Sequence, residues 1–226
     1  MSSCATRRHV HSLRKATCRH LSQEGVSSCA TCDGAFYKDQ VVTVIGGGDS
    51  AMEEAIFLTR FATKVIIIHR RAELRASQIM QTRALEHPKI EFCWNAEVTK
   101  VVGDYEAGTV SGVEVITHPD GAPSDRPESE VERKVIPCDG MFLGIGHIPN
   151  TEFLEGVLDL DEEGYIVTVK GAIVTQDVST ELEAVYAAGD VVDKRYRQAI
   201  TAAGMGCKAA MEAEEHLASR RELASA

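Results

Sequence analysis

A β-branched run ending in glycines spaced for a tight turn leaves few folds open to a chain. Here Val41-Val42-Thr43-Val44-Ile45 runs straight into Gly46-Gly47-Gly48-Asp49-Ser50-Ala51, and a helical pattern follows from Asp49 to about Arg60. In the pattern Gly46-x-Gly48-x-x-Ala51, the first glycine permits the turn and the second lets backbone approach a pyrophosphate. Ala51 is small enough for the helix to pack on the strand. The free amides and positive dipole end of such a helix suit anionic oxygens, with Asp49 and Ser50 in its first turn. A second apolar run, Lys64 to Ile68, completes a strand–helix–strand unit. The expectation is a parallel sheet with a dinucleotide site, although glycine-rich turns also make plain strand-to-helix connections.

The end of the second strand selects the dinucleotide. A site for NAD places Asp or Glu there to hold the ribose 2′-hydroxyl. This chain has His69-Arg70-Arg71 instead, with Arg75 following. Guanidinium forks pair with phosphate oxygens, so the cations match the 2′-phosphate of NADPH. Taken apart from the glycine turn, the same residues read as a solvated basic loop.

Upstream lies Cys29-Ala30-Thr31-Cys32-Asp33-Gly34. Such a pair is half a zinc site, a redox couple or coincidence. Zinc normally requires four ligands, usually from a second pair of similar spacing. Cys4, Cys18, Cys93, Cys138 and Cys207 are all isolated. A redox dithiol is therefore favoured and no metal is expected, with Asp33 placed to give or accept a proton during thiol exchange.

Together, Cys-Ala-Thr-Cys-Asp-Gly, Val-Ile-Gly-Gly-Gly-Asp-Ser-Ala-Met-Glu-Glu-Ala and His-Arg-Arg resemble the low-molecular-weight, NADPH-dependent thioredoxin reductases. Phe142-Leu-Gly-Ile-Gly-His-Ile-Pro-Asn-Thr151 resembles that family's exit from the nucleotide domain. Val185-Tyr-Ala-Ala-Gly-Asp190 and Tyr196-Arg-Gln-Ala-Ile-Thr-Ala-Ala-Gly204 resemble its flavin-contacting segment. The resemblance implies electron flow from NADPH through FAD to a Cys29–Cys32 disulfide and on to thioredoxin. In it Cys32 is the flavin-proximal sulfur, Cys29 attacks the substrate disulfide, and Asp33 manages the proton. It places NADPH at Gly46, Gly48, Asp49, Ser50, Ala51, His69, Arg70, Arg71 and Arg75. It places FAD at Gly189, Asp190, Arg197, Gln198 and Ala199. Asp190 read by itself would be an ordinary helix cap. A homodimer is also implied.

The family's first flavin-binding half precedes its dithiol by more than a hundred residues. Only 28 residues precede Cys29 here, and none carries a Gly-x-Gly-x-x-Gly. The expected organisation is a basic segment over 1–24, an NADPH-binding domain over 25–148, and the C-terminal part of an FAD-binding domain over 149–226. The fold class is α/β, Rossmann-like and three-layered, with a parallel sheet, a small antiparallel layer and an incomplete flavin domain. Such a chain is expected to bind NADPH yet reduce thioredoxin feebly by itself. The competing reading is a non-catalytic NADPH-binding remnant or regulatory module. A flavoprotein that reduces a peroxiredoxin-like partner is a third.

The rest of the chain fits this frame. The net charge of −10 argues against nucleic acid and anionic membranes as partners. No apolar run approaches the roughly 18 residues of a membrane span. Seven cysteines, an odd number, point to a reducing compartment such as the cytoplasm. Residues 1–24 are rich in Arg, His and Ser with Glu24 the only acid, resembling a mitochondrial or plastid transit peptide or unrelated upstream sequence. Further elements are predicted as a helix from Ala76 to Glu86, a strand from Ile90 to Trp94 and a hairpin from Glu97–Val102 with Thr109–Thr117. A polar loop over 118–134, short strands at Lys134–Pro137 and Gly140–Ile145, a strand at Ala184–Ala188 and a helix from Ile200 to Leu217 follow. Gly204 and Gly206 in that last helix are expected to mark a close backbone approach.

Overall fold

The computed structural model describes residues 25–104, 106–169, 173–174 and 185–225, so the basic segment over 1–24 lies outside the described residues. The chain divides into two units, one ending at Gly146 and the other beginning at His147.

The first unit is built on a five-stranded, wholly parallel sheet. Its strands are β1 (Val26–Ser27), β2 (Val41–Ile45), β3 (Lys64–Ile68), β4 (Ile90–Cys93) and β8 (Gly140–Leu143), in the order β1-β8-β2-β3-β4. The Cys29–Tyr37 region holds a one-turn helix α1 (Ala30–Asp33) and a 3₁₀ turn. Helix α2 (Asp49–Leu58) links β2 to β3, and α3 (Gln78–Leu85) precedes β4. A three-stranded antiparallel sheet, β5 (Ala96–Asp104), β6 (Thr109–Thr117) and β7 (Glu132–Pro137), completes the unit.

Both faces of the parallel sheet are covered, which is why its strands are continuous apolar runs rather than alternating ones. Val42, Val44, Val65, Ile67 and Phe142 pack on the α2 stripe Ala51, Met52, Ala55 and Leu58. The adjacent residues Met141, Leu143 and Ile68 meet Val98, Val101, Val113 and Val115 of the antiparallel sheet on the other face. Three layers thus follow from the period-two geometry of the strands. The expected parallel sheet with a small antiparallel layer is present, with element ends shifted by a few residues. The polar loop contains two 3₁₀ turns, at Pro123–Asp125 and Glu128–Glu130.

Beside this core, the Glu54 Oε2 atom in α2 is buried with no hydrogen-bond partner among the described residues. Burial first, and the Glu53 carboxylate second, push its pKa from 4.5 up to about 7. The folded state holds this proton more tightly than the unfolded chain, so stability falls as the pH rises from 4.5 to about 7. Glu54→Gln is expected to flatten that slope. Allowing for solvent screening, it stabilises the chain by about 1–2 kcal/mol at alkaline pH and by little at acid pH. Urea denaturation of both proteins at the two pH extremes checks this, and a pH-independent difference would contradict it.

The second unit has a small core of Leu158, Ile166 and Ala187. Asp161 closes a turn by accepting the N–H groups of Glu163 and Tyr165 at 2.8 and 3.0 Å. Strands β9 (Thr168–Val169) and β10 (Ile173–Val174) pair antiparallel. Helix α4 runs Ala199–Ser225, further than the expected Leu217. Two expectations fail here. Ala184 lies outside the described residues, and in Val185–Ala188 only Tyr186 carries a bridge, so the expected strand is reduced to one paired residue among the described ones. Nor do Gly204 and Gly206 mark a close approach among the described residues, because a Cβ at either would meet none of their atoms within 4 Å.

Candidate functional site

In an open parallel sheet, ligands bind outside the carboxyl ends of the strands where the strand order reverses. The order β1-β8-β2-β3-β4 reverses between β8 and β2. The glycine turn leaves β2 at that point. Gly46 has φ +149°, and a Cβ there would lie 2.3 Å from the Gly144 carbonyl oxygen and 2.8 Å from the Ala51 Cβ. Gly144, at the end of β8, is equally confined, its Cβ position lying 2.7 Å from the Ala51 Cα. Gly46, Ala51 and Gly144 therefore have to be small for strand, turn and helix to close up. Gly48 is different: a Cβ there would meet nothing within 4 Å, so its surface is open. The amides of Asp49, Ser50 and Ala51 belong to the first turn of α2, where no intrahelical acceptor exists.

The loop from His69 to Ser77 leaves β3 at the same edge. Arg70 is half-buried, and Arg71 and Arg75 are exposed. Among the described residues, no ion pair engages Arg71 or Arg75. His69 is placed otherwise than expected. It is only 5% exposed, and a Cβ on Gly47 would lie 2.3 Å from its ring. Burial, together with repulsion from Arg75, Arg70 and Arg71, holds its pKa below the usual value despite the bond to the Glu73 carbonyl. It is a neutral prop under the turn rather than one of the cations. The Asp49 side chain turns to the loop instead, its Oδ1 accepting from both the N–H and the hydroxyl of Ser77.

The dithiol reaches this edge from the other side. β1 is parallel to β8, so the chain leaves it in the same direction as it leaves β2. Two residues later stands Cys29, in a disulfide with Cys32, with Cα atoms 5.3 Å apart. Two strand spacings, about 10 Å, separate β1 from β2. Cys29 caps α1, its Sγ accepting the Cys32 N–H at 3.2 Å and lying 3.3 Å from the Thr31 hydroxyl. Cys29 is half-buried and Cys32 exposed. Asp33 is held by the Ser27 hydroxyl at 2.6 Å, and the same hydroxyl accepts the Cys29 N–H at 3.0 Å. Ser27 therefore links the Asp33 carboxylate to the Cys29 backbone, a contact no sequence motif signalled. Beyond Asp33, Tyr37 is driven above its ordinary pKa by burial first and then by the Asp33 and Cys138 charges.

In the second unit, the expected flavin residues gather on one turn. Gly189 has φ +83° and Arg197 φ +49°, a conformation costly for a non-glycine residue. Asp193 sustains it. Its carboxylate accepts the N–H groups of Arg195, Tyr196 and Arg197 at 2.9, 2.8 and 3.0 Å. Burial would raise the Asp193 pKa, but these bonds outweigh it and hold the group below the ordinary value. The Arg197 guanidinium lies over Tyr165, 5.6 Å from the ring centroid, and donates to its hydroxyl. Its Nε is buried without a partner among the described residues. Asp190, Arg197 and Tyr165 line a cavity of about 160 Å³, with Gln198 and Ala199 next along the chain. An unsatisfied guanidinium nitrogen suits an anionic oxygen such as a phosphate's. The cavity is small for a whole dinucleotide, since sites for drug-sized ligands run to about 300 Å³ or more. The cavity has room for one anionic group of a larger ligand. Asp193 and Tyr165 escaped the sequence reading because they are ordinary residues until the turn brings them together.

Residues 12–206 match the family described as pyridine nucleotide-disulphide oxidoreductase. A thioredoxin reductase of Streptomyces coelicolor is 51% identical over 198 residues, covering 88% of this chain and 56% of the relative. Thioredoxin reductase 1, mitochondrial, of Arabidopsis thaliana is 49% identical over 195 residues, covering 85% of this chain and 48% of the relative. The crystal structure of thioredoxin reductase from Streptococcus pyogenes superposes with a TM-score of 0.75 at 36% identity, covering 89% of this chain and 60% of that one. The chain thus spans about half the length of the curated relatives it matches.

Proposed function

Since the chain belongs to the pyridine nucleotide-disulphide oxidoreductase family, we propose that it is the nucleotide-binding, dithiol-carrying portion of an NADPH-dependent thioredoxin-disulfide reductase. The observation that carries this reading is the shared carboxyl edge. Dithiol, glycine turn and arginine loop leave three strands of one parallel sheet at the same end. The overall reaction takes NADPH, a proton and a protein disulfide to NADP⁺ and a protein dithiol.

The amides following Gly48 hold the pyrophosphate, and Arg70, Arg71 and Arg75 hold the 2′-phosphate. Bound FAD supplies the two-electron relay between nicotinamide and disulfide, and Gly189, Asp190, Arg197, Gln198 and Ala199 are the residues that hold part of it. Once the dithiol is reduced, the Cys29 thiolate attacks one sulfur of the thioredoxin disulfide and expels the other as a thiolate. Cys32 then attacks the Cys29 Sγ, closing the Cys29–Cys32 bond and releasing reduced thioredoxin. Asp33, steadied by Ser27, carries the proton. The working assembly is a homodimer. The cytoplasm is its compartment, or an organelle if residues 1–24 act as a transit peptide.

Trp94 is the only tryptophan and lies beside His69, with ring centroids 6.3 Å apart. Its fluorescence therefore reports on nucleotide binding. The chain is expected to bind NADPH at least about 10-fold tighter than NADH, the worth of one charge-assisted phosphate contact. Equal affinities would overturn the NADPH assignment. A flavin spectrum retained after incubation with FAD, and bleached by NADPH, separates a chain able to turn over from an NADPH-binding remnant.

A further inference from the structure

Asp49 opens the helix that follows the glycine turn, where a carboxylate opposes a phosphate ligand by simple Coulomb repulsion. Its placement makes sense through what it holds. Oδ1 accepts the Ser77 N–H at 2.9 Å and the Ser77 hydroxyl at 2.7 Å. Ser77 ends the loop that bears Arg70, Arg71 and Arg75, just before α3. Two backbone bonds reinforce the attachment, from the N–H groups of Arg75 and Ala76 to the Gly47 carbonyl at 2.7 and 3.1 Å. Within the loop, the His69 Nε2 pairs with the Glu73 carbonyl oxygen at 3.0 Å. The arginine loop is thus fixed at its start by β3 and at its far end by the glycine turn. Asp49 provides the side-chain part of that second attachment.

We propose that Asp49 is a positioning residue for recognition of the 2′-phosphate. Its side chain tethers the arginine loop to the glycine turn and does not itself touch the nucleotide. The inference rests on the reading that these arginines take the 2′-phosphate. The reason for a tether is entropic: long cationic side chains on a loose loop must be ordered as the phosphate binds, whereas a fixed loop presents them ready-placed. Both donors from Ser77 also hold the Asp49 carboxyl below its ordinary pKa, so the tether stays ionised and intact across the neutral range.

The test uses the 226-residue chain and two probes, 2′,5′-ADP and 5′-AMP, titrated by calorimetry. Asp49→Ala is expected to weaken 2′,5′-ADP about 10-fold and 5′-AMP by less than about 2-fold, the loss falling on the phosphate-dependent part alone. Asp49→Asn keeps the acceptor oxygen without the charge and is expected to retain the wild-type preference. Ser77→Ala, which keeps its N–H, is expected to fall between. Thermal melts of each variant separate misfolding, which lowers both affinities together. An Asp49→Ala chain that loses both probes equally, or neither, overturns the tether. A wild-type chain indifferent to the 2′-phosphate overturns the arginine-loop reading, and the tether falls with it. A wild-type preference that survives Asp49→Ala removes the tether alone.

Discussion

Cys29→Ser and Cys32→Ser are each expected to lower protein-disulfide exchange by on the order of 1,000-fold or more, because each removes a nucleophile the cycle requires. They are expected to fail at different stages. Two hydrogen-bonding groups, the Cys32 N–H at 3.2 Å and the Thr31 hydroxyl at 3.3 Å, converge on the Cys29 Sγ. In the reduced chain, donors so placed are expected to favour the Cys29 thiolate, the attacking species. A reduced Cys32→Ser chain therefore attacks oxidised thioredoxin and stops at a stable mixed disulfide through Cys29. A Cys29→Ser chain accumulates far less. Chemical reduction of each variant, mixing with oxidised thioredoxin and mass analysis of the adduct settle the matter. Accumulation through Cys32 instead of Cys29 would reverse the two roles.

The second large effect separates two glycines that look equivalent in the motif. Gly46→Ala is expected to destabilise the chain by about 3 kcal/mol or more, combining strain at positive φ with overpacking. The overlap is with backbone, the Gly144 carbonyl oxygen at 2.3 Å, and with the Ala51 Cβ at 2.8 Å, so no flexible side chain gives way. A loss of this size is a large fraction of a domain's roughly 5–15 kcal/mol. Gly48→Ala meets open space and has φ −98°, so its stability is expected to stay within about 0.5 kcal/mol of wild type. Its cost is expected to fall on NADPH affinity, because the new methyl group would occupy the open surface where the proposed site takes the pyrophosphate. Urea denaturation and NADPH titration of both variants check the division. A stable Gly46→Ala chain, or a Gly48→Ala chain with undiminished NADPH affinity, would contradict it.

The local elements of the first unit were legible because period and composition agreed. Val41–Ile45 and Lys64–Ile68 are β-branched runs of strand length, and glycines or small residues stand where turns need them. The cation cluster was legible as charge, though not its division of labour. A sequence does not say that His69 is buried under Gly47 while Arg71 and Arg75 stay exposed, because that depends on how the loop folds back on the turn. In the second unit, Val185–Ala188 has the composition of a strand, yet among the described residues only Tyr186 pairs, as a single bridge.

By itself the sequence determined the groups present: a dithiol with an adjacent acid, a glycine-rich strand-to-helix turn, and arginines at the end of the second strand. All of these follow from residue type and short spacing, which local backbone geometry converts directly into structure. Only the tertiary structure decided that they share one edge. That rests on the two-residue strand β1, which pairs with β8 more than a hundred residues away at Val26↔Met141 and Ser27↔Phe142. A strand so short has no period of its own, and its place in the sheet is set by the groups it pairs with. The same holds for Ser77 on Asp49, a polar pair 28 residues apart that packing makes and no local pattern shows.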